Sequence, residues 1–358
     1  MKTIAFLPAK GSSSRIENKN LSLLDGKPLF LHTLEKIMQP GLFDDVYLDT
    51  DSDEIIELAE HIPCKILKRD KRLASNATDG NKLFMNEVAH ADADVYVQIL
   101  CTSPFISTST IESGISRIAG SDEFDSAFLT RRERQYVWRH GQAAYNIDAI
   151  PNSSDLQETL IETMGLYIIK KEAALRFNRR IGEKPLFLEA SPIESVDVNW
   201  PEDFALASLI AAGLREDRSK LLQNVKARSS SAILSDVMDD LGYSDQVIGG
   251  LQPNKPGIKL LGRAKTLKLR ELGDGEDYRG IYDAYKSYEA IIPNDIIVVE
   301  SATPDYAYFG ELNANLAIRA GAAGTILNCK TRDNSAVSAL NFPVFSTGFI
   351  AQDVRKRA

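Results

Sequence analysis

Apolar residues open the chain as a short block, Ile4 to Leu7, and then give way to a polar loop, Pro8-Ala9-Lys10-Gly11-Ser12-Ser13-Ser14. A compact apolar run closed by small polar residues predicts a buried first strand. Phe30, Leu34, Ile37 and Met38 then recur at helical spacing until Pro40-Gly41 stops them. The alternation continues, with strands predicted over 45–49, 64–68, 95–100 and 126–129 and helices over 52–60, 79–90 and 108–118. This pitch predicts an α/β layer with a largely parallel sheet. Ligands of such sheets sit beyond the carboxyl ends of the strands, which places the loops after Leu7, Asp49 and Leu100 around one crevice.

Further along, Pro201–Leu214 reads as a helix with Pro at its start and Glu202-Asp203 in its first turn, an arrangement that suits the helix dipole. The charged stretch Arg215–Lys226 has little apolar period, so a linker is expected at 216–225, separating a domain at 1–215 from one at 226–358. In the second domain, Ser229-Ser230-Ser231 caps an amphipathic helix (Ile233, Leu234, Val237, Met238, Leu241) that stops at Gly242. Short strands near 263–269 and 295–299 follow, then a helix starting at Gly310-Glu311-Leu312-Asn313 and a strand Thr325–Asn328.

Length agrees with two domains, because 358 residues exceed what a single core usually spans. With 44% apolar and 26% charged residues the chain is neither disordered, collagen-like nor a coiled coil. Its 42 Lys and Arg against 50 Asp and Glu give a net charge of −8, which argues against a general nucleic-acid binder. Cys64, Cys101 and Cys329 are odd in number and far apart, so they form no disulfide framework or zinc spacing and read as small buried hydrophobes. The first apolar run is too short for a signal segment, and no stretch approaches the roughly 20 apolar residues of a membrane span. A reducing cytoplasm and no membrane partner are therefore expected. All four histidines lie in the first half, so none supplies a base or metal ligand within the second.

The loop Leu7–Asn20 carries most of the chemistry. Small residues after a buried strand expose several backbone N–H groups to one point, the way chains hold phosphate oxygens. Lys10, Arg15 and Lys19 share the loop, apt partners for a triphosphate. The Gly-Lys-Ser/Thr of a Walker loop and the GxGxxG of a dinucleotide fold are both missing. On composition alone a solvated polar turn is an equal reading.

The order of residues separates these readings. Pro8-Ala9-Lys10-Gly11-Ser12-Ser13-Ser14-Arg15-Ile16 resembles the signature of the acylneuraminate (CMP-sialic acid) cytidylyltransferase family. Gly26-Lys27-Pro28-Leu29, Leu73-Ala74-Ser75, Thr102-Ser103-Pro104, Gly165-Leu166-Tyr167 and Asp197-Val198-Asn199-Trp200-Pro201-Glu202-Asp203 match further family motifs in order, across about 1–214. The resemblance implies a Rossmann-like nucleotide-diphospho-sugar transferase domain that uses CTP and Mg²⁺ to activate a 2-keto-3-deoxy sugar acid. It further implies that Lys10 and Lys19 grip the triphosphate and that Leu7, Ala9, Gly11, Ser12, Ser13, Arg15 and Asn20 complete the nucleotide site. Ser75, Thr102 and Ser103 would face the acceptor, and Asp197 with Asn199 would hold the metal. Asp197 also reads as a plain acid ahead of the helix at Pro201. Several residues depart from the family pattern: Lys10 replaces Arg, Ser14 replaces Lys, Glu17 replaces Pro, Asn199 replaces Asp, and Leu100-Cys101 replaces Gln-Pro. The loss of that Gln leaves the acceptor open to a phosphonate or another acid.

In the second half, Glu311 and Arg332-Asp333 are separated by one helix and one strand, so both ends can return to one rim. An acid with an Arg-Asp pair suits a divalent metal and an anion, or else a structural ion pair. Together with Asp236, Gly262-Arg263-Ala264-Lys265-Thr266 and Phe342-Pro343-Val344-Phe345, this stretch resembles the RraA-like family, which includes class II 4-hydroxy-4-methyl-2-oxoglutarate aldolases. A swivelling β/β/α domain over about 222–350 is implied, short at its C-terminal end. By the same resemblance Asp333 binds Mg²⁺ or Mn²⁺, Arg332 steadies an enolate, Glu311 lies near the bound water, and the N–H groups of Leu312 and Asn313 hold a carboxylate. Asn328-Cys329 stands where the family has Asp-Gly. Relatives of this kind assemble, so a homo-oligomer built on dimers or trimers is expected. A regulatory protein with a non-catalytic second domain is the competing reading.

Overall fold

The structure is a computed structural model and describes residues 1–74 and 78–358. Ser75, one of the expected acceptor residues, lies outside the described residues. The chain divides into two compact units, Met1–Ile210 and Ala211–Ala358.

The first unit is built on a seven-stranded sheet. Its strands are β1 (Thr3–Pro8), β2 (Asp45–Thr50), β3 (Lys65–Lys68), β4 (Val95–Ile99), β5 (Ser126–Glu133), β6 (Thr159–Lys170) and β7 (Pro185–Glu189). They lie in the order β7-β5-β6-β4-β1-β2-β3. β1, β2, β3 and β4 run parallel, and β7 runs parallel to β5. β6 is antiparallel to both β4 and β5, so the sheet is mixed, largely parallel with one antiparallel strand.

Helices cover both faces, so the central strands are apolar on both sides. Along β1, Ala5 and Leu7 join one core layer while Ile4 and Phe6 join the other, the period of two expected of a strand. The helices between strands are α1 (Leu29–Ile37), α2 (Asp53–Leu58), α3 (Gly80–Ala89) and α4 (Thr108–Ala119). The last three start on polar caps: Ser52 takes Ile55 N, Asp79 takes Asn81 N and Lys82 N, and Ser107 takes Thr110 N.

A short α5 (Lys171–Phe177) follows β6, and a 28-residue helix, α6 (Pro201–Arg228), follows β7. The stretch 216–225, expected as a linker, is helical throughout. Its Leu, Arg, Glu, Lys and Gln are strong helix formers and need no apolar stripe to stay helical.

The second unit holds a five-stranded sheet ordered Gln252–Pro253, Val344–Ser346, Gly324–Leu327, Asp295–Ser301, Arg263–Leu269, parallel apart from the first pair. Ala307–Phe309 and Lys330–Thr331 form a separate parallel pair. Two helices, α7 (Ser231–Asp240) and α8 (Glu311–Ala320), match the sequence expectation in position. α7 buries none of its residues, so its apolar face is not part of this unit's core.

Close approach fixes one glycine beside the crevice. A Cβ at Gly165 would lie 2.6 Å from Ser103 Oγ and 2.6 Å from Ile106 Cδ1. Gly165→Ala is expected to destabilise the protein by about 1–3 kcal/mol, the usual range for overpacking. Urea unfolding followed by circular dichroism checks this, and an unchanged midpoint contradicts the close approach.

Candidate active site

The C-terminal ends of β1, β2 and β4 bring three loops together. The first begins with Ala9, whose N–H donates to Asp49 O at 2.8 Å and extends the β1–β2 pairing by one bond. Leu7 and Ala9 are fully buried. The Ala9 amide is thereby committed to the sheet. Gly11 N donates to Asp51 Oδ1 at 2.9 Å, and a Cβ at Gly11 would lie 2.7 Å from Ser52 Cβ. Glycine is thus required for the loop to pack on the start of α2.

The loop then turns back on itself. Asn20 Nδ2 donates to Lys10 O at 2.8 Å, and Asn20 Oδ1 accepts from the Cys101 thiol at 3.2 Å. Cys101 is buried and also donates to Pro8 O at 3.4 Å. Burial pushes its thiol up to about 11, with Lys19 and Arg69 opposing, so it remains a protonated donor. Cys101 therefore locks the first loop to the loop after β4, a part the sequence did not announce. Ser12 is exposed, Ser13 Oγ accepts from Ile16 N at 3.5 Å, and the Arg15 guanidinium sits 5.4 Å from the Trp200 ring centre.

Lys19 is 7% exposed and donates from Nζ to Val198 O at 2.7 Å. Val198 N in turn donates to Thr102 O at 2.8 Å. The Asp197-Val198-Asn199 segment is thereby pinned between the first loop and the Thr102-Ser103 loop. Asp197 Oδ1 lies 3.4 Å from Ser103 Oγ, and its Oδ2 accepts from Asn199 Nδ2. Burial lowers the Lys19 ammonium below the usual lysine range, Cys101 and Asp197 oppose this, and Arg15 and Lys10 add to it. Lys10, Arg15, Lys19, Asn20, Thr102, Ser103, Asp197 and Asn199 thus converge on one region.

The donor set bears on the expected magnesium. Among the described residues no cluster of three or more His, Cys, Asp or Glu side chains exists. Asp197 offers one carboxylate beside a carboxamide and several cations. That set fits Mg²⁺ arriving with a polyphosphate, because the ion keeps waters and takes one or two carboxylates plus phosphate oxygens. It does not fit a metal held by the protein alone.

A buried polar chain underlies the site on the α3 side of the sheet and went unread in the sequence. Arg69 donates from Nε to Asp49 Oδ1 at 3.0 Å and from Nη2 to Asp49 Oδ2 at 2.8 Å. Glu87, fully buried, meets Asp49 and accepts from Gln98 Nε2 at 2.6 Å. Burial and then the Asp49 charge push the Glu87 carboxyl well above its usual range. Gln98 Oε1 accepts from Arg180 Nη1 at 3.1 Å, and the Arg180 guanidinium lies 3.7 Å from the Tyr167 ring centre. The sheet's alternation puts Asp49, Gln98 and Tyr167 on one face, but nothing in an isolated sequence says that a polar rather than an apolar layer fills that face.

In the second unit, Glu311 N donates to Asp333 Oδ2 at 3.2 Å, so the helix start and the Arg332-Asp333 pair do meet. Arg332 Nε lies 3.7 Å from Asp333 Oδ2. A Cβ at Gly310 would lie 2.5 Å from Asp333 Oδ2, so glycine leaves room for that carboxylate. Arg332, Asp333, Leu312 and Asn313 line a cavity of about 190 Å³. Leu312 is 61% exposed, while Asn313 is buried and donates to Tyr308 O at 3.3 Å. One carboxylate at an open rim suits a water-rich Mg²⁺ or Mn²⁺.

The buried chain gives a test of these charge states. Asp49→Ala strands the Arg69 guanidinium and is expected to cost about 3–5 kcal/mol of stability. Glu87→Gln keeps the shape of a neutral carboxyl and is expected to stay within about 1 kcal/mol of wild type. Equal losses in the two variants, measured by urea unfolding, contradict a neutral Glu87.

Comparison with known proteins agrees with the geometry. Residues 4–210 match the cytidylyltransferase family, and residues 231–358 match the aldolase/RraA family. Pseudaminic acid cytidylyltransferase of Campylobacter jejuni is 30% identical over 123 residues, covering 33% of this chain and 53% of the relative. N-acylneuraminate cytidylyltransferase A of Danio rerio is 26% identical over 215 residues, covering 57% of this chain and 49% of the relative. A solved CMP:2-keto-3-deoxy-manno-octonic acid synthetase complexed with CTP is 17% identical, with a TM-score of 0.46 over 61% of this chain and 100% of that one. The chain spans about half the length of the curated relatives it matches. By its fold, its motifs and the extent of the match, this chain belongs to the cytidylyltransferase family and carries an aldolase/RraA-type domain after it.

Proposed function

We propose that the first unit transfers CMP from CTP to a 2-keto-3-deoxy sugar acid of the sialic, pseudaminic or octulosonic type, releasing pyrophosphate. The observation that carries this reading is the convergence of Lys19 with the Asp197 segment through Val198 O. In the reaction an acceptor hydroxyl attacks the α-phosphorus, a bond to that phosphorus forms, and the bond to the leaving pyrophosphate breaks. Such chemistry needs positioning and charge neutralisation more than covalent help.

Each residue has a role in that scheme. Lys19 has spent one N–H on Val198 O, which aims its remaining donors at the triphosphate. Lys10 and Arg15 add positive charge along the same loop. Asn20 shapes the loop through Lys10 O and Cys101. Ser103 and Thr102 border the acceptor side. Asp197 with Asn199 would hold Mg²⁺, which when bound offsets negative charge on the phosphate oxygens.

For the second unit we read Arg332, Asp333 and the start of α8 as a site for a small 2-oxo acid, with lyase activity as the reaction class. Both units would then handle 2-oxo acids. The solution assembly is expected to be a homo-oligomer.

A panel of CTP with sialic, pseudaminic, octulosonic and phosphonate acceptors, read by pyrophosphate release, tests the transferase reading. Release is expected with at least one sugar acid and is lost in Asp197→Ala; no release with any acceptor overturns it. Lys19→Ala is expected to weaken CTP binding by roughly 1.5–3 kcal/mol, the range for a hydrogen bond to a charged group. The lowered ammonium adds a pH signature. CTP favours protonated Lys19, so affinity falls as pH rises through a value below that of ordinary lysine, and Lys19→Arg flattens the curve. Titration calorimetry across alkaline pH checks this, and a wild-type profile that matches Lys19→Arg contradicts it.

A further inference from the structure

The guanidinium of Arg332 is already occupied. Asp353, near the C-terminal end of the described chain, places its Oδ2 at 2.8 Å from Arg332 Nη1. Its other oxygen, Oδ1, accepts the N–H of Arg355 at 2.6 Å. Both residues line the cavity that holds Asp333 and Asn313. A carboxylate is thus seated where an anionic ligand would meet the guanidinium.

We propose that Asp353 is a built-in competitor: it fills the carboxylate position of the second unit's site, and a small carboxylate ligand takes its place on Arg332. The proposal rests on the reading of Arg332 as an anion-binding residue and adds the residue that sets its affinity. Asp353 is a side chain that swings, not a tail that undocks. The backbone around it is anchored, with Ala307 N donating to Gln352 O at 2.9 Å, Val354 N to Ala307 O at 2.9 Å, and Ile350 N to Thr331 O at 3.0 Å. Val354 is 2% exposed, and the Arg357 guanidinium lies 4.4 Å from the Tyr306 ring centre.

The energetics favour exchange. Side-chain exposures of 40% for Arg332 and 28% for Asp353 put the pair at the cavity mouth, where solvent screens it and an ion pair contributes little. Before and after exchange the guanidinium is paired with a carboxylate, and the released Asp353 lies where solvent can reach it. Tyr285 and Tyr308 form part of the cavity wall. The class that fits is a small acid whose carboxylate pairs with Arg332 while an adjacent oxygen reaches the Asp333 side of the cavity, such as a 2-oxo acid or oxalate.

An alternative role has the opposite sign. If Asp353 served to hold Arg332 in the right orientation, removing its charge would weaken binding. The experiment titrates oxalate, in buffer with Mg²⁺, into the full chain and its Asp353→Asn, Arg332→Ala and Asp353→Asn/Arg332→Ala variants, by calorimetry. Asp353→Asn keeps the Oδ1 acceptor for Arg355 N and removes only the negative charge. Glu300→Gln, in an exposed pair with Lys268, controls for net charge.

Oxalate affinity is expected to rise roughly two- to five-fold in Asp353→Asn, the gain from no longer breaking a half-exposed ion pair. It should stay at the wild-type value in Glu300→Gln and be lost when Arg332 is also removed. Equal or weaker binding in Asp353→Asn overturns the proposal while Arg332-dependent binding in the wild type leaves the 2-oxo-acid reading standing. No oxalate binding in either protein overturns both.

Discussion

One hydrogen bond organises the first unit: the ammonium of Lys19 on the carbonyl of Val198, joining residues 179 positions apart. It is the direct link between the glycine–serine loop and the Asp197 segment, which are otherwise joined only through the Cys101-Thr102 loop. With it, a cation and a carboxylate are held at a fixed separation by backbone rather than by each other. That distinction matters for phosphate chemistry. A direct Lys–Asp pair would neutralise itself, whereas two groups tied through a shared backbone keep their charges for a ligand. The low exposure of Lys19 removes water that would otherwise screen it.

The surroundings enforce that geometry in layers. Cys101 ties the first loop to the loop after β4 through Asn20 and Pro8, and it can do so because burial keeps the thiol protonated. On the helix side, Lys36 of α1 donates to Pro104 O at 2.7 Å and Ile106 O at 2.6 Å and so braces the Thr102-Ser103 loop from behind. Beneath lies the chain from Arg69 through Asp49, Glu87 and Gln98 to Arg180 and Tyr167. Its balance depends on one neutral carboxyl, since a single guanidinium flanks the two acids. The floor of the site is therefore a polar, fully packed layer where a parallel sheet would ordinarily present aliphatic residues.

Much of this was legible in the sequence. The small residues and cations after an apolar strand marked the first loop as a candidate, and the family resemblance, not the pattern, paired it with Asp197. Glu311 and Arg332-Asp333 were rightly brought to one rim by counting a helix and a strand between them. The antiparallel direction of β6, third in the seven-stranded order, was not foreseen. Its pattern is broken by Met164, at a φ of 62°, and by a register shift between Glu162 and Tyr167. The helical state of 216–225 was not visible in an apolar period, because that stretch carries none; only the propensities of its residues mark it. Arg69, Glu87 and Asp353 were invisible for another reason: their partners are set by tertiary contact, and a lone charged residue usually marks a solvated surface.

The account stands or falls on Lys19 and Asp197 acting as one unit toward a magnesium-loaded nucleotide. A double-mutant cycle on Mg²⁺–CTP affinity, with Lys19→Ala, Asp197→Ala and the double variant measured by calorimetry, tests this most directly. The account predicts a coupling of at least about 1 kcal/mol, well beyond the roughly 0.3–0.5 kcal/mol scatter of independent sites. Strictly additive losses, or no loss in either single variant, would contradict it.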